Sequence, residues 1–431
     1  MKRKKALAPA RVIALCFLVL ILSGAALLTL PISHQPGVDV SPLEALFTAT
    51  SATCVTGLVV VDTAESFSVF GRIVIMLLIQ FGGLGAATLG IGVTLLAGRR
   101  MSLYHREILQ ESWNIGSEAH RRNIYKTVLL ITLCIEGAGA VLSFSIFSQY
   151  FPAWEAVGVS IFHAVSSFNN AGFDLMGGGM NGFIGYGADI RLSIITALLI
   201  ILGGIGYLVI LDVIHFRRRR RLMLQTKIVL LATAALIFGG MFLLCAVEDI
   251  TPLEAFFQSV SARTAGFATV NMGAFTNAGL LVMCLLMFIG ASPASTGGGI
   301  KTTTAFTAVF AAWSSAVNGK REVFRRRIDD ADVSRAFVVL LMAALVVITA
   351  TFALCVLEPE HDFIKLLFEV ISAFATVGLT AGLTPELGDA ARLILILVMY
   401  IGRLGPITLA AVCFSRPQAT VKYTSEHITI G

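Results

Sequence analysis

Four glycines, Gly57, Gly172, Gly266 and Gly378, fall roughly a hundred residues apart, and each closes a short run too brief to cross a membrane. The runs end Cys54-Val-Thr-Gly-Leu58, Asn169-Asn-Ala-Gly-Phe173, Arg263-Thr-Ala-Gly-Phe267 and Ala375-Thr-Val-Gly-Leu379. Glycine adopts backbone angles that other residues resist, so carbonyl oxygens beside it can turn toward a common point. The candidate ligands are the backbones of Val55, Thr56 and Gly57, of Asn170, Ala171 and Gly172, of Thr264, Ala265 and Gly266, and of Thr376, Val377 and Gly378. None of these side chains is charged. A ring of carbonyl dipoles replaces the hydration shell of a monovalent cation such as potassium, whereas a divalent ion would call for carboxylates.

The elements that position such a ring are legible upstream of it. Ser41-Pro-Leu-Glu44 and Thr251-Pro-Leu-Glu254 are capping boxes with proline in the first helical turn. They start short helices whose partly negative C-terminal ends aim at the glycines, a polarity that favours a cation. Around them, 56% of the 431 residues are hydrophobic and 13% charged, with a mean hydropathy of +0.85. That composition is an integral membrane protein's. Apolar runs near 12–30, 72–97, 124–147, 191–216, 226–247, 277–317, 336–357 and 391–414 predict eight spans.

The net charge of +6 sits at Lys2–Lys5, Arg99–Lys126, Arg217–Arg221 and Lys320–Arg327, where apolar runs stop. These clusters read as orientation signals with contacts to membrane lipid, not as a nucleic-acid surface. Both termini are then cytoplasmic and the glycine segments approach from outside. Seven scattered cysteines, with no metal-ligand spacing, read as buried thiols.

The resulting expectation is an all-α integral membrane protein of four pseudo-fourfold helix–re-entrant loop–helix repeats around one pore. The N-terminus occupies 1–10, repeat one 11–99, a cytoplasmic linker 100–120, repeat two 121–217, repeat three 225–318, a second linker 319–332, repeat four 333–415 and a tail 416–431. Only repeat three is expected to have an interrupted second span. There, within 290–301, Gly290, Ala291, Ser292, Pro293, Ala294, Ser295, Thr296, Gly297, Gly298, Gly299 and Lys301 cannot all stay helical in lipid. A loosely determined loop below the ring is a candidate gate. Arg403 in the last span, costing about 2.5–3.5 kcal/mol at mid-membrane, is expected to face the same path. The glycines in Gly82-Gly-Leu-Gly85 and Gly203-Gly-Ile-Gly206 read as close-packing residues of continuous helices.

These motifs, with Gly402-Arg-Leu-Gly-Pro406, resemble the membrane subunits of Ktr potassium-uptake systems in the Trk/Ktr/HKT superfamily, over nearly the whole chain. The resemblance implies potassium uptake stimulated by sodium, with one pore per subunit of a homodimer in the plasma membrane. It also implies a cytoplasmic octameric ring of nucleotide-binding KtrA-type partners. Arg403 would lie under the ring in the fourth repeat. Trk-type membrane subunits usually carry additional N-terminal spans that eight spans do not provide.

Other readings compete. The histidines at 34, 105, 120, 163, 215, 361 and 427 do not space into a catalytic site, which argues against an intramembrane enzyme. His163 reads as a packing residue. Gly297-Gly-Gly-Ile-Lys-Thr-Thr303 lacks the strand and lysine placement of a phosphate-binding loop. An alternating-access carrier predicts inverted repeats, but these run parallel; a Trk-type potassium or sodium/potassium cotransporter remains the nearer alternative.

Overall fold

The computed structural model describes residues 9–85, 124–177, 183–186, 189–317, 319–406 and 408. The expected end of repeat one (86–99), the linker 100–120, the tail 416–431 and most of the N-terminal segment lie outside the described residues.

Each repeat begins with a long apolar helix: α1 (Pro9–Leu28), α4 (Ile124–Phe147), α8 (Leu224–Val247) and α12 (Asp330–Leu357). Among the described residues these four are long and apolar enough to cross a membrane. Their outer faces carry exposed Leu22, Leu130, Phe242 and Phe352. Such apolar exposure suits lipid rather than water.

A short helix follows in each repeat: α2 (Pro42–Cys54), α5 (Ala153–Phe168), α9 (Pro252–Ser261) and α13 (Phe363–Ala375). The two capping boxes form as expected, with Ser41 and Glu44 exchanging hydrogen bonds and Thr251 and Glu254 doing the same. Unlike the long helices, these are buried on nearly every side over their last two turns. Burial on every side places these turns inside the protein, and the polar residues among them, such as Ser51, His163 and Gln258, must then find partners there.

The second helices are α3 (Val69–Leu84), α6 (Ile190–Gly204) with α7 (Tyr207–Arg219), α10 (Asn277–Phe288) with α11 (Thr302–Ala316), and α14 (Asp389–Leu404). Here the expectation of one interrupted span is corrected. All four second helices stop at the same point of the repeat. Gly85 has φ 92°, Gly206 φ 90° and Gly405 φ 82°, left-handed angles at which a right-handed helix ends. At Gly206 the chain turns by 95° between α6 and α7. In place of that single glycine, repeat three inserts the whole segment 289–301. The pair α6 and α7 counts as one crossing only if so bent a pair is a single span.

Two buried clusters hold the bundle. One joins repeats one and two with part of repeat three through Phe67, Phe147, Phe173, Phe183 and Phe257, the other joins repeats three and four with part of repeat one through Phe47, Met283, Met287, Phe368 and Phe374. Among the described residues the strands are a two-rung antiparallel pair, β1 (Glu322–Val323) and β2 (Arg326–Arg327). The chain is thus an all-α integral membrane protein of four equivalent units around one axis.

Candidate cation site

The last turns of α2, α5, α9 and α13 converge, and past each the backbone enters the left-handed region twice. Val55, Asn170, Thr264 and Thr376 have φ of 60°, 60°, 79° and 51°, and Gly57, Gly172, Gly266 and Gly378 follow two residues later at 92°, 70°, 82° and 94°. For β-branched valine and threonine such angles cost about 1–3 kcal/mol each and persist only where surroundings dictate them. Four repetitions of the same strained step mark this segment as the built part of the fold.

The glycines close a ring. A Cβ on Gly57 would strike the Ala171 carbonyl oxygen, and one on Gly172 would lie 2.6 Å from the Ala265 oxygen. One on Gly266 would lie 2.5 Å from the Val377 oxygen, and one on Gly378 would strike the Thr56 oxygen. Repeat one thus meets two, two meets three, three meets four and four returns to one. No other residue type fits at these positions, since backbone atoms of the neighbour already occupy the space.

Serines, which the sequence reading did not single out, tie each loop to its helix. Gly57 N–H donates to Ser51 Oγ at 3.0 Å and Gly378 N–H to Ser372 Oγ at 3.1 Å. In the other two repeats the serine donates instead, Ser166 to the Phe173 carbonyl at 2.7 Å and Ser261 to that of Phe267 at 2.5 Å. The signal was available, as serine recurs six residues before the glycine in three repeats and five before it in the third. After each glycine the chain runs back beside its helix and lines a small cavity. Its walls include all four ring glycines together with Asp62, Asp174, Phe183 and Thr380.

On the opposite side of the ring lies the segment from Gly290 to Lys301. It is buried and hydrogen-bonded rather than loosely determined, which corrects the sequence-based picture of it. Ser292 N–H donates to the Gly204 carbonyl at 3.0 Å, Tyr207 N–H to the Ala294 carbonyl at 2.9 Å, and Gly298 N–H to Thr376 Oγ1 at 3.1 Å. The Ser292 and Thr302 hydroxyls meet at 2.9 Å, and Thr296 Oγ1 donates to the Phe168 carbonyl at 3.3 Å. Gly297 and Gly298 press against Thr264 and Thr376, where a Cβ would clash with either hydroxyl. Lys301 Nζ folds back on the Gly297 carbonyl at 2.7 Å.

Arg403 reaches this segment from α14. Its guanidinium donates to the carbonyls of Thr296 and Gly82, with a longer contact of 3.4 Å to Gly83. Those carbonyls belong to the repeat-three segment and to the end of α3, so one side chain links three repeats. No carboxylate pairs with it among the described residues. Gly82, Gly203 and Gly402 do serve close packing, each abutting the last-turn carbonyl of a short helix, at Thr53, Phe168 and Phe374. His163 packs as expected, with Nε2 2.9 Å from Thr196 Oγ1 and its ring stacked on Phe183. These contacts bring the ring segments, the segment from Gly290 to Lys301 and Arg403 next to one another.

The comparisons agree with this architecture. The sequence profile of TrkH, described as a cation transport protein, matches residues 8–422. The chain is 40% identical to Ktr system potassium uptake protein B of Vibrio alginolyticus, over 98% of this chain and 94% of that one. It is 37% identical to potassium/sodium uptake protein NtpJ of Enterococcus hirae, over 99% and 98%. Its fold is similar to the crystal structure of the potassium transporter TrkH from Vibrio parahaemolyticus, with a TM-score of 0.73 at 18% identity, covering 96% of this chain and 86% of that one. Sequence profile, full-length relatives and fold converge: the chain belongs to the TrkH family of cation transport proteins.

Proposed function

We propose that this chain is the ion-translocating subunit of a Ktr-type system, taking potassium across the plasma membrane with both termini in the cytoplasm. The observation that carries the reading is the closed ring of four left-handed steps. A dehydrated potassium ion needs oxygens on all sides at once, and a ring built from four backbones offers them without fixed charge. The C-terminal ends of α2, α5, α9 and α13 add their partial negative charge at the same point. The segment from Gly290 to Lys301, with Arg403 bonded to it, acts as the gate.

In this reading the gate answers to a cytoplasmic ring of nucleotide-binding KtrA-type subunits, and two copies of the chain assemble as a homodimer. The name of the Vibrio alginolyticus relative, a component of a system, supports a separate partner. The name of the Enterococcus hirae relative, a potassium/sodium uptake protein, supports sodium as activator or co-ion.

The test is rubidium uptake into liposomes holding the purified protein, with and without sodium, comparing the parent with Gly57→Ser. A serine side chain would displace the Ala171 carbonyl. Preference for rubidium and potassium over sodium should fall several-fold while the protein stays monodisperse. An unchanged preference removes the ring from the ion path.

A further inference from the structure

Glu369 lies near the middle of α13, wholly buried, and no basic side chain pairs with it among the described residues. A carboxylate in such a place is costly unless donors surround it. Donors do surround it, and they come from the irregular segment that returns from the ring. Oε1 accepts from Thr380 Oγ1 at 2.5 Å and from Ala381 N–H at 2.9 Å, and Oε2 accepts from Thr384 Oγ1 at 2.6 Å. Thr380 Oγ1 accepts in turn from Gly382 N–H at 2.9 Å. Thr380 stands two residues past Gly378 and lines the same cavity as the ring glycines.

The four repeats differ here. Nine residues before their glycines stand Thr48, His163, Phe257 and Glu369. In repeats two and three a serine already holds the returning backbone, at Phe173 and Phe267. Repeat three adds Gln258, which donates from Nε2 to Thr269 Oγ1 at 3.0 Å. In repeat four Ser372 is committed to the Gly378 N–H. The returning segment there is held by Glu369.

We propose that Glu369 is a positioning residue for the fourth quarter of the ring. By fixing residues 380–384 against α13, its carboxylate sets the direction of the Val377 and Gly378 carbonyls and so the preference among monovalent cations. The inference rests on the ring being the ion path, as proposed above.

The experiment measures rubidium uptake and its inhibition by potassium and by sodium in liposomes, for the full chain and for Glu369→Leu, Glu369→Gln and Gly378→Ser. Glu369→Leu, close in volume but without acceptors, should lower the preference for potassium over sodium several-fold. Glu369→Gln should retain most of it, because its carbonyl keeps one pair of donors and the Thr384 hydroxyl can turn to accept from its amide. Gly378→Ser reports on the ring itself. If Gly378→Ser loses preference and Glu369→Leu keeps it, the inference fails while the ring reading stands; if neither changes, the ring reading fails. Equal losses in Glu369→Gln and Glu369→Leu would assign the effect to charge and overturn the positioning role. Should Glu369→Leu not fold, Thr384→Val removes one donor without emptying the core. An intermediate loss there supports the proposal and a parental preference overturns it.

Discussion

Arg403 combines two roles that pull in opposite directions. Its guanidinium bonds to carbonyls of two other repeats and so stiffens the segment beneath the ring, yet its charge opposes any cation passing nearby. At about 6 Å and an effective dielectric near 20, two unit charges repel by roughly 3 kcal/mol, about two powers of ten in rate. Arg403→Gln should raise potassium flux through reconstituted protein by up to that factor, and flux equal to the parent at matched protein would place the charge away from the path. At this scale the sequence was a partial guide. An arginine in an apolar span and glycines at a fixed interval were visible because they break a local rule. The serines showed only as a recurrence five or six residues before each ring glycine, and Glu369 did not show at all, because a buried polar residue is recognised by the partners it meets in space, here Thr380, Ala381 and Thr384.

Capping boxes and apolar runs, in contrast, write an element's start in a few adjacent residues, and the starts of α2 and α9 followed from Ser41 and Thr251. Element ends were harder. Gly85, Gly206 and Gly405 look in sequence like any packing glycine, and only the sign of φ distinguishes a stop from a close contact. The segment from Gly290 to Lys301 was visible by composition, but its hydrogen bonds were not, since they run to Gly204, Tyr207, Phe168 and Thr376. If the segment is the gate proposed above, these bonds would make it move as a piece rather than as a loose thread, as a two-state element must. Removing Ala294 to Gly297 deletes the Thr296 carbonyl that Arg403 grips and the Ala294 carbonyl that caps α7. The shortened protein should show high rubidium flux that no longer depends on the cytoplasmic partner. If it folds and its flux stays low and regulated, the gate is elsewhere.

For the molecule as a whole, the fourfold plan was readable because duplication repeats a pattern, while the order of contacts around the axis was not. That order predicts which substitutions interact. Gly57 touches Gly172 and Gly378 but not Gly266. Contacting residues usually couple by about 0.5–3 kcal/mol, whereas distant ones add to within about 0.5 kcal/mol. Alanine at Gly57 and Gly172 together should therefore give a cation preference that departs from the sum of the single effects, expressed as free energies. Alanine at Gly57 and Gly266 should give the sum, and equal behaviour of the two pairs would mean the ring does not close in this order.

The ring also has a direction of travel. A side chain placed on each glycine would first meet the carbonyl of the next quarter: Gly57 that of Ala171, Gly172 that of Ala265, Gly266 that of Val377, Gly378 that of Thr56. An injury at one quarter is thus felt one step further round. A survey of glycine replacements would draw a portrait of the ring rotated by ninety degrees, in which the weakness recorded at Gly378 belongs to the first repeat and that at Gly57 to the second.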